Sequence, residues 1–364
     1  DEVKKHIDLL SMFKINRMHW HLTEDQGWRI EIKKYPRLTT VGSKRIEGDG
    51  SVYGGFYTQE QVRDIVRYAS DRFVTVIPEI ELPGHAMGAI ASYPELTCFP
   101  HRRVYEVRNL WGVEQDVYCP GKETTFNFIQ DVLDEVLPLF PSEYVHIGGD
   151  ECPKIRWKEC PDCQRRIKEE GLKNEEELQS YTIRRAQKML AKHGKKLIGW
   201  DEILEGKINQ SATIMAWRGE KNGFDGAIKG HDVVMTPSSH VYFDHYQAED
   251  HAHEPDAIGG FSPVEKVYSY EPIPESLPAD AKKRIFGVQA NLWTEYIPYT
   301  TQAEYMIMPR MAALAEVQWT PAAKKNFDDF SKRAHRLSDL YDRYGYQYAR
   351  HLWKDKAIPT SAVW

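Results

Sequence analysis

The sequence predicts an α/β fold, a (β/α)8 barrel, from two observations. Short apolar runs alternate with amphipathic helical stretches along the whole chain, and those runs end in polar, mostly acidic residues. Such alternation marks repeated βα units around a parallel sheet. Loops at the C-terminal ends of the strands are where such a barrel carries its chemistry. A length of 364 residues holds one barrel with long loops.

In chain order, a helix is expected over 2–14 and strands over 15–21, 74–80, 144–149, 196–200, 212–217, 232–235 and 285–292. Helical spacing of apolar residues is read over 58–73, 125–140, 175–193 and 303–319. The pattern therefore opens αβ and counts seven strands, so the expectation is a barrel whose first strand is missing from the N-terminus of this chain. The short segment 357–364 is the alternative source of an eighth strand. No linker rich in Gly, Ser or Pro divides the sequence, and no repeat is visible. The reading is one barrel over 1–320, with a C-terminal helix and tail over 321–364 packed on it. Long polar loops at 83–123 and 237–262 follow strands.

Composition excludes several classes. Lys and Arg number 48 against 54 Asp and Glu, leaving no basic excess for a phosphate backbone, and nucleic acid is excluded as a partner. No apolar run reaches the roughly 20 residues of a membrane helix, so no membrane span is expected. The segment DEVKKHIDLL lacks the apolar core of a signal peptide. Five cysteines, an odd number, fit a closed disulfide framework poorly. Cys160 and Cys163 have C-x-x-C spacing with Cys152 nearby, but no second pair stands at metal-site separation; they read as surface thiols or a labile disulfide. His240, His245, His251 and His253 could bind metal in principle.

The strand ends carry the information. They read HWHLTEDQGW, PEIELPGH, HIGGDE, GWDE, AWRGE and NLWTE, which would bring carboxylates to one mouth. Helix capping explains any single one of these acids. It does not explain Trp20 or Trp28 near Glu24, Trp200 before Asp201, Trp217 before Arg218, or Trp293 before Glu295. One such indole reads as core filling; Trp200, Trp217 and Trp293 together read as a box of indoles around a sugar ring. Asp150 and Glu151 follow Gly148 and Gly149, which clear space at the strand end. Adjacent carboxyls cannot easily flank a glycosidic bond, so one would be the acid and the other would orient a group of the substrate. Taken alone, the dipeptide reads first as two solvated acids at a helix start.

Those motifs, with the Tyr-x-Asp of Tyr242 to Asp244, resemble in content and order the β-N-acetylhexosaminidases of glycoside hydrolase family 20. The likeness runs from Asp1 to about residue 320. It implies a (β/α)8 barrel that removes terminal, non-reducing N-acetylglucosamine or N-acetylgalactosamine from glycans by retaining, substrate-assisted hydrolysis through an oxazolinium ion, without a cofactor or a metal, so that the four histidines between 240 and 253 read as a polar loop at the pocket rim. By the same resemblance Glu151 is the general acid and base, and Asp150 holds the 2-acetamido group. Tyr242 binds the acetamido oxygen. Trp200, Trp217 and Trp293 surround the sugar, Asp244 and Glu295 bind its hydroxyls, and His85, backed by Glu24, supports the acid. Glu24 and Glu81 stand where many members have Asp, and the arginine that the family carries on its first strand would fall before Asp1. An enzyme of glycan ends is expected in the periplasm, outside the cell or in a lysosome. The competing reading is a carbohydrate-binding barrel that has lost catalysis; Asp150, Glu151 and Tyr242 together argue against it.

Overall fold

The computed structural model describes residues 1–353. Its chain divides into two compact units, one built mainly of Val3–Ser11 and Asn16–Ile214, the other of Met12–Ile15 and the chain from Met215 onward.

The first unit begins with α1 (Glu2–Met12) and β1 (Arg17–His21). It continues through α2 (Gln59–Ser70), β2 (Thr75–Leu82), α3 (Glu123–Val136), β3 (Tyr144–Gly148), α4 (Pro161–Glu169), α5 (Glu175–Lys192) and β4 (Lys196–Trp200). Strands β1 to β4 pair in chain order and in parallel, each hydrogen-bonded to the next. Sequence explains the helices between them. A capping box of Thr58 and Gln61 starts α2, whose Val62, Ile65, Val66 and Ala69 are buried at helical spacing. Helix α3 buries Phe126, Phe128, Ile129, Val132, Leu133 and Val136 in the same way.

Strand register positions the site. His21 lies opposite Glu79, and Glu79 opposite His146. Because side chains alternate across a strand, His19 with His21, Glu79 with Glu81, and His146 with Gly148 fall on the same face.

Strand β5 (Thr213–Ala216) carries the chain into the second unit. That unit contains α6 (Glu220–Ile228), β6 (Val233–Met235), β7 (Ile285–Val288), α7 (Thr300–Ile307), α8 (Arg310–Trp319) and α9 (Phe327–Tyr344), with β6 and β7 parallel. Strands thus occur among the described residues at each of the seven places where the sequence predicted one.

Two expectations are corrected. The helix expected over 303–319 is two helices, because Pro309 has no amide hydrogen to continue α7 and its ring clashes with the preceding turn. The strand expected over 285–292 stops at Val288. Beyond it only Asn291 pairs, as an isolated bridge with Tyr242. The C-terminal helix exists as α9, whereas 357–364 lies outside the described residues. No described helix is long and apolar enough to cross a membrane.

Candidate active site

The polar face of β1 to β4 is organised by Glu79, which is fully buried. Its carboxylate oxygens lie 2.9 Å from His19 Nε2, 2.6 Å from His21 Nδ1 and 2.7 Å from His146 Nδ1. They also accept the Trp200 indole N–H at 3.0 Å. Burial alone would push this carboxyl up, but His146, His21 and His19 outweigh it and hold Glu79 well below the usual range. Burial likewise disfavours a charged His21, yet Glu79 and Glu24 raise it to about 10.

A relay of alternating acids and imidazoles leads outward from there. Glu24 sits on a two-residue hairpin strand pairing with Gly27, which holds it 3.1 Å from His21 Nε2 and 2.8 Å from His85 Nδ1. Burial opposes ionisation of Glu24, but His85 and His21 bring it down to about 2. The other nitrogen of His85, Nε2, is 3.5 Å from Asp150 Oδ2 and 3.6 Å from Glu151 Oε2. Burial acts against the His85 imidazolium, and Glu24 and Asp150 overcome it, so its pKa is raised well above the ordinary value. Asp25, buried beside this chain, accepts the Met87 amide at 3.0 Å and lies 3.7 Å from His85.

Asp150 and Glu151 therefore both approach one imidazole nitrogen, at ion-pair distance, although they are neighbours in sequence. The turn that presents them departs from ordinary backbone. Glu151 has φ 41° and His85 φ 46°, left-handed values that a side chain disfavours and that concentrate at functional sites. Burial and the neighbouring Asp150 charge push the Glu151 carboxyl up. Glu81, buried behind them, is pushed well above the usual range by burial and by Asp150 and Glu79. The site thus holds acids in opposite states: Glu79 and Glu24 ionised, Glu81 and Glu151 shifted toward the neutral form.

Trp200 is 1% exposed, with its ring against His146 and His19 at centroid distances of 4.6 and 5.7 Å. Trp28 is a core residue whose indole donates to the Ile30 carbonyl. Trp20 packs edge-on against Tyr57.

In the second unit the loops after β5, β6 and β7 bring three aromatics together. Trp217 stacks on Tyr242 at 6.4 Å between centroids, and Trp293 lies 6.5 Å from the same ring. Both indoles are partly exposed. Asp244 is buried, and burial, aided by Glu295, pushes its carboxyl to about 7. Fully buried Arg310 holds this loop. Its guanidinium donates to the carbonyls of Phe243, His245, Ser262 and Met306. Among the histidines of the 237–262 loop, His240 stacks on Tyr270, His245 lies near Tyr242 and His251 stacks on Tyr246. All five cysteines are buried and unpaired, which corrects the expectation of surface thiols or a labile disulfide.

Comparison with known proteins now decides the family. The model of glycosyl hydrolase family 20, catalytic domain, matches residues 1–322. The chain belongs to this family. A β-hexosaminidase of Porphyromonas gingivalis is 61% identical over 96% of this chain and 44% of its own length. One from Vibrio furnissii is 40% identical over 86% of this chain and 53% of its own. The crystal structure of a family 20 exo-β-N-acetylglucosaminidase from Vibrio harveyi, in complex with N-acetylglucosamine, has a TM-score of 0.88 at 38% identity. The match covers 97% of this chain and 57% of that one. The chain spans about half the length of the curated relatives it matches.

As a family 20 catalytic domain it has the α/β barrel fold that the strand pattern predicted. Sequence reasoning overlooked Glu79 and Arg310. For Glu79 a signal existed: in MHWH and PEIEL polar residues recur at every second position, the mark of a polar strand face. For Arg310 the signal was isolation, since it is the one charged residue in the apolar run 305–315, YMIMPRMAALA.

Proposed function

We propose that this chain is the catalytic domain of an exo-acting β-N-acetylhexosaminidase, which releases terminal non-reducing N-acetylglucosamine or N-acetylgalactosamine with retention of configuration. One observation carries the reading: the relay from Glu79 through His21, Glu24 and His85 ends on both Asp150 and Glu151. Two carboxyls that share an imidazole cannot flank a sugar ring as nucleophile and acid. They can divide the work on one side of it. Glu151, shifted toward its protonated form, gives its proton to the leaving oxygen. Asp150 accepts the acetamido N–H and stabilises positive charge as the acetamido oxygen attacks the anomeric carbon, forming a cyclic oxazolinium ion. Water, deprotonated by Glu151, then opens the ring. The reading assigns Tyr242 to the acetamido oxygen, the partly exposed Trp217 and Trp293 to the ring faces, Trp200, buried on Glu79, to the closed end of the sugar pocket, and Asp244 and Glu295 to the hydroxyls. Hydrolysis of nitrophenyl N-acetyl-β-glucosaminide, compared with the glucoside bearing a 2-hydroxyl, tests it. Cleavage of the first and near-absence of cleavage of the second are expected; equal cleavage would sink the scheme.

A further inference from the structure

Four of the five buried cysteines meet in one place. Cys98, Cys119, Cys160 and Cys163 have all four sulfurs within 4.8 Å of one another. The individual separations are 3.7 Å for Cys98 to Cys163, 3.6 Å for Cys119 to Cys163 and 3.8 Å for Cys119 to Cys160. A disulfide closes to about 2.05 Å and pairs sulfurs exclusively. Here Cys119 and Cys163 each approach two partners. Four thiolates bound at about 2.3 Å around a tetrahedral zinc stand about 3.8 Å apart, and the separations of Cys98 to Cys163, Cys119 to Cys163 and Cys119 to Cys160 match that spacing.

The chain builds this cluster deliberately. Thr97 and Tyr118 form an antiparallel bridge, and the Cys119 amide donates to the Leu96 carbonyl at 2.8 Å, so Cys98 and Cys119 arrive side by side across a long loop. Cys160 and Cys163 straddle the first turn of α4, where the helix N-terminus favours thiolate. The two segments are in intimate contact: a Cβ on Gly121 would fall 2.3 Å from the Asp162 carbonyl carbon. Trp157 adds a tie, its indole donating to the Tyr118 carbonyl at 2.9 Å. All four cysteines are at most 6% exposed.

We propose that Cys98, Cys119, Cys160 and Cys163 bind one structural zinc ion. The soft sulfur set and closed tetrahedral geometry select zinc over calcium or magnesium, and four protein ligands leave no open position for catalysis. The ion clamps the loop after β2 to the segment after β3, eight residues beyond Cys152 and directly downstream of the Asp150–Glu151 turn. It thereby steadies the turn that presents both carboxyls.

Elemental analysis of the purified protein is expected to give one zinc per chain, and a mercurial that titrates the thiols should release it as four groups react. Cys160→Ser with Cys163→Ser should lose the zinc and melt several degrees lower, while Cys152→Ser keeps it. If the double variant does not fold, cobalt exchanged into the unaltered protein reads the same site, with thiolate charge-transfer and tetrahedral ligand-field absorption expected. Less than stoichiometric metal in protein prepared without chelator, disulfides among these four found by mass mapping, zinc retained by the double variant, or an octahedral cobalt spectrum would each overturn the assignment.

Discussion

The Glu81 carboxyl occupies the space that a side chain at position 148 would fill: a Cβ on Gly148 would lie 1.6 Å from Glu81 Oε2. Gly148 also has φ 69°, where a Cβ is disfavoured in its own right. Gly148→Ala should therefore destabilise the fold by about 2–5 kcal/mol, combining overpacking with left-handed strain. Combining it with Glu81→Ala should recover the overpacking part only. Urea melts of the two single variants and the double variant check this; strictly additive losses would show that the two positions do not compete for space.

The three indoles should separate in their response to truncation. Trp200 is fully buried and bonded to Glu79, so Trp200→Ala should cost about 3–5 kcal/mol of stability and release that carboxylate. Trp217 and Trp293 are partly exposed beside Tyr242. Replacing either by Ala should change the melting temperature far less and raise KM for an aryl N-acetylhexosaminide about tenfold, the loss of roughly 1.4 kcal/mol of stacking. Thermal melts beside steady-state kinetics distinguish the two classes, and a large stability loss in Trp217→Ala would contradict the assignment.

How legible this was depended on whether the information lay along one strand or between segments. Strands such as 196–200 and the helix 175–193 are set by local periodicity, and the structure places them as Lys196–Trp200 and Glu175–Lys192. Asp150 and Glu151 drew notice beside Gly148 and Gly149, but their separate roles and that of His85 rested on the family resemblance of the ordered motifs. Glu79 could have been named, since it stands two residues from Glu81 on a strand whose alternation is plain. The cysteine cluster could not: Cys98 and Cys119 are brought together by a bridge between Thr97 and Tyr118 that no local pattern announces. The partners of Arg310 were hidden for the same reason, being carbonyls of the distant segment that contains Phe243 and His245.

The acid-imidazole relay predicts a pH window for stability. The folded pKa of Glu24, about 2, is below its ordinary 4.5, so its contribution is complete above about 4.5 and fades as pH falls toward 2. His21, raised from 6.5 to about 10, contributes fully below 6.5 and loses this as pH rises toward 10. Both contributions are therefore complete between about pH 4.5 and 6.5. Glu24→Gln should lower the melting temperature most in that window and much less near pH 9.5. A deficit that does not vary with pH would mean that Glu24 supports the fold by packing alone.

Proton inventory at Asp150 and Glu151 gives the sharpest test of mechanism. Burial and the Asp150 charge shift Glu151 upward; on the proposed scheme Glu151 starts the cycle as the acid, and its titration is expected to set the alkaline limb of activity. Glu151→Gln should lower kcat/KM by about 10²–10⁴ for substrates with poor leaving groups and leave those with good ones nearly unaffected, because only the former need a proton. Asp150→Asn should slow both if, as proposed, Asp150 stabilises the acetamido group as it attacks. It should also move the alkaline limb to lower pH, because loss of a neighbouring negative charge makes Glu151 easier to ionise. A stable thiazoline mimic of the cyclic ion should bind far more tightly than the released sugar, and binding should weaken in Asp150→Asn. Trapping a glycosyl ester on any carboxylate of this chain would replace the scheme with an enzyme nucleophile, and an alkaline limb unmoved by Asp150→Asn would separate Glu151 from the charge beside it.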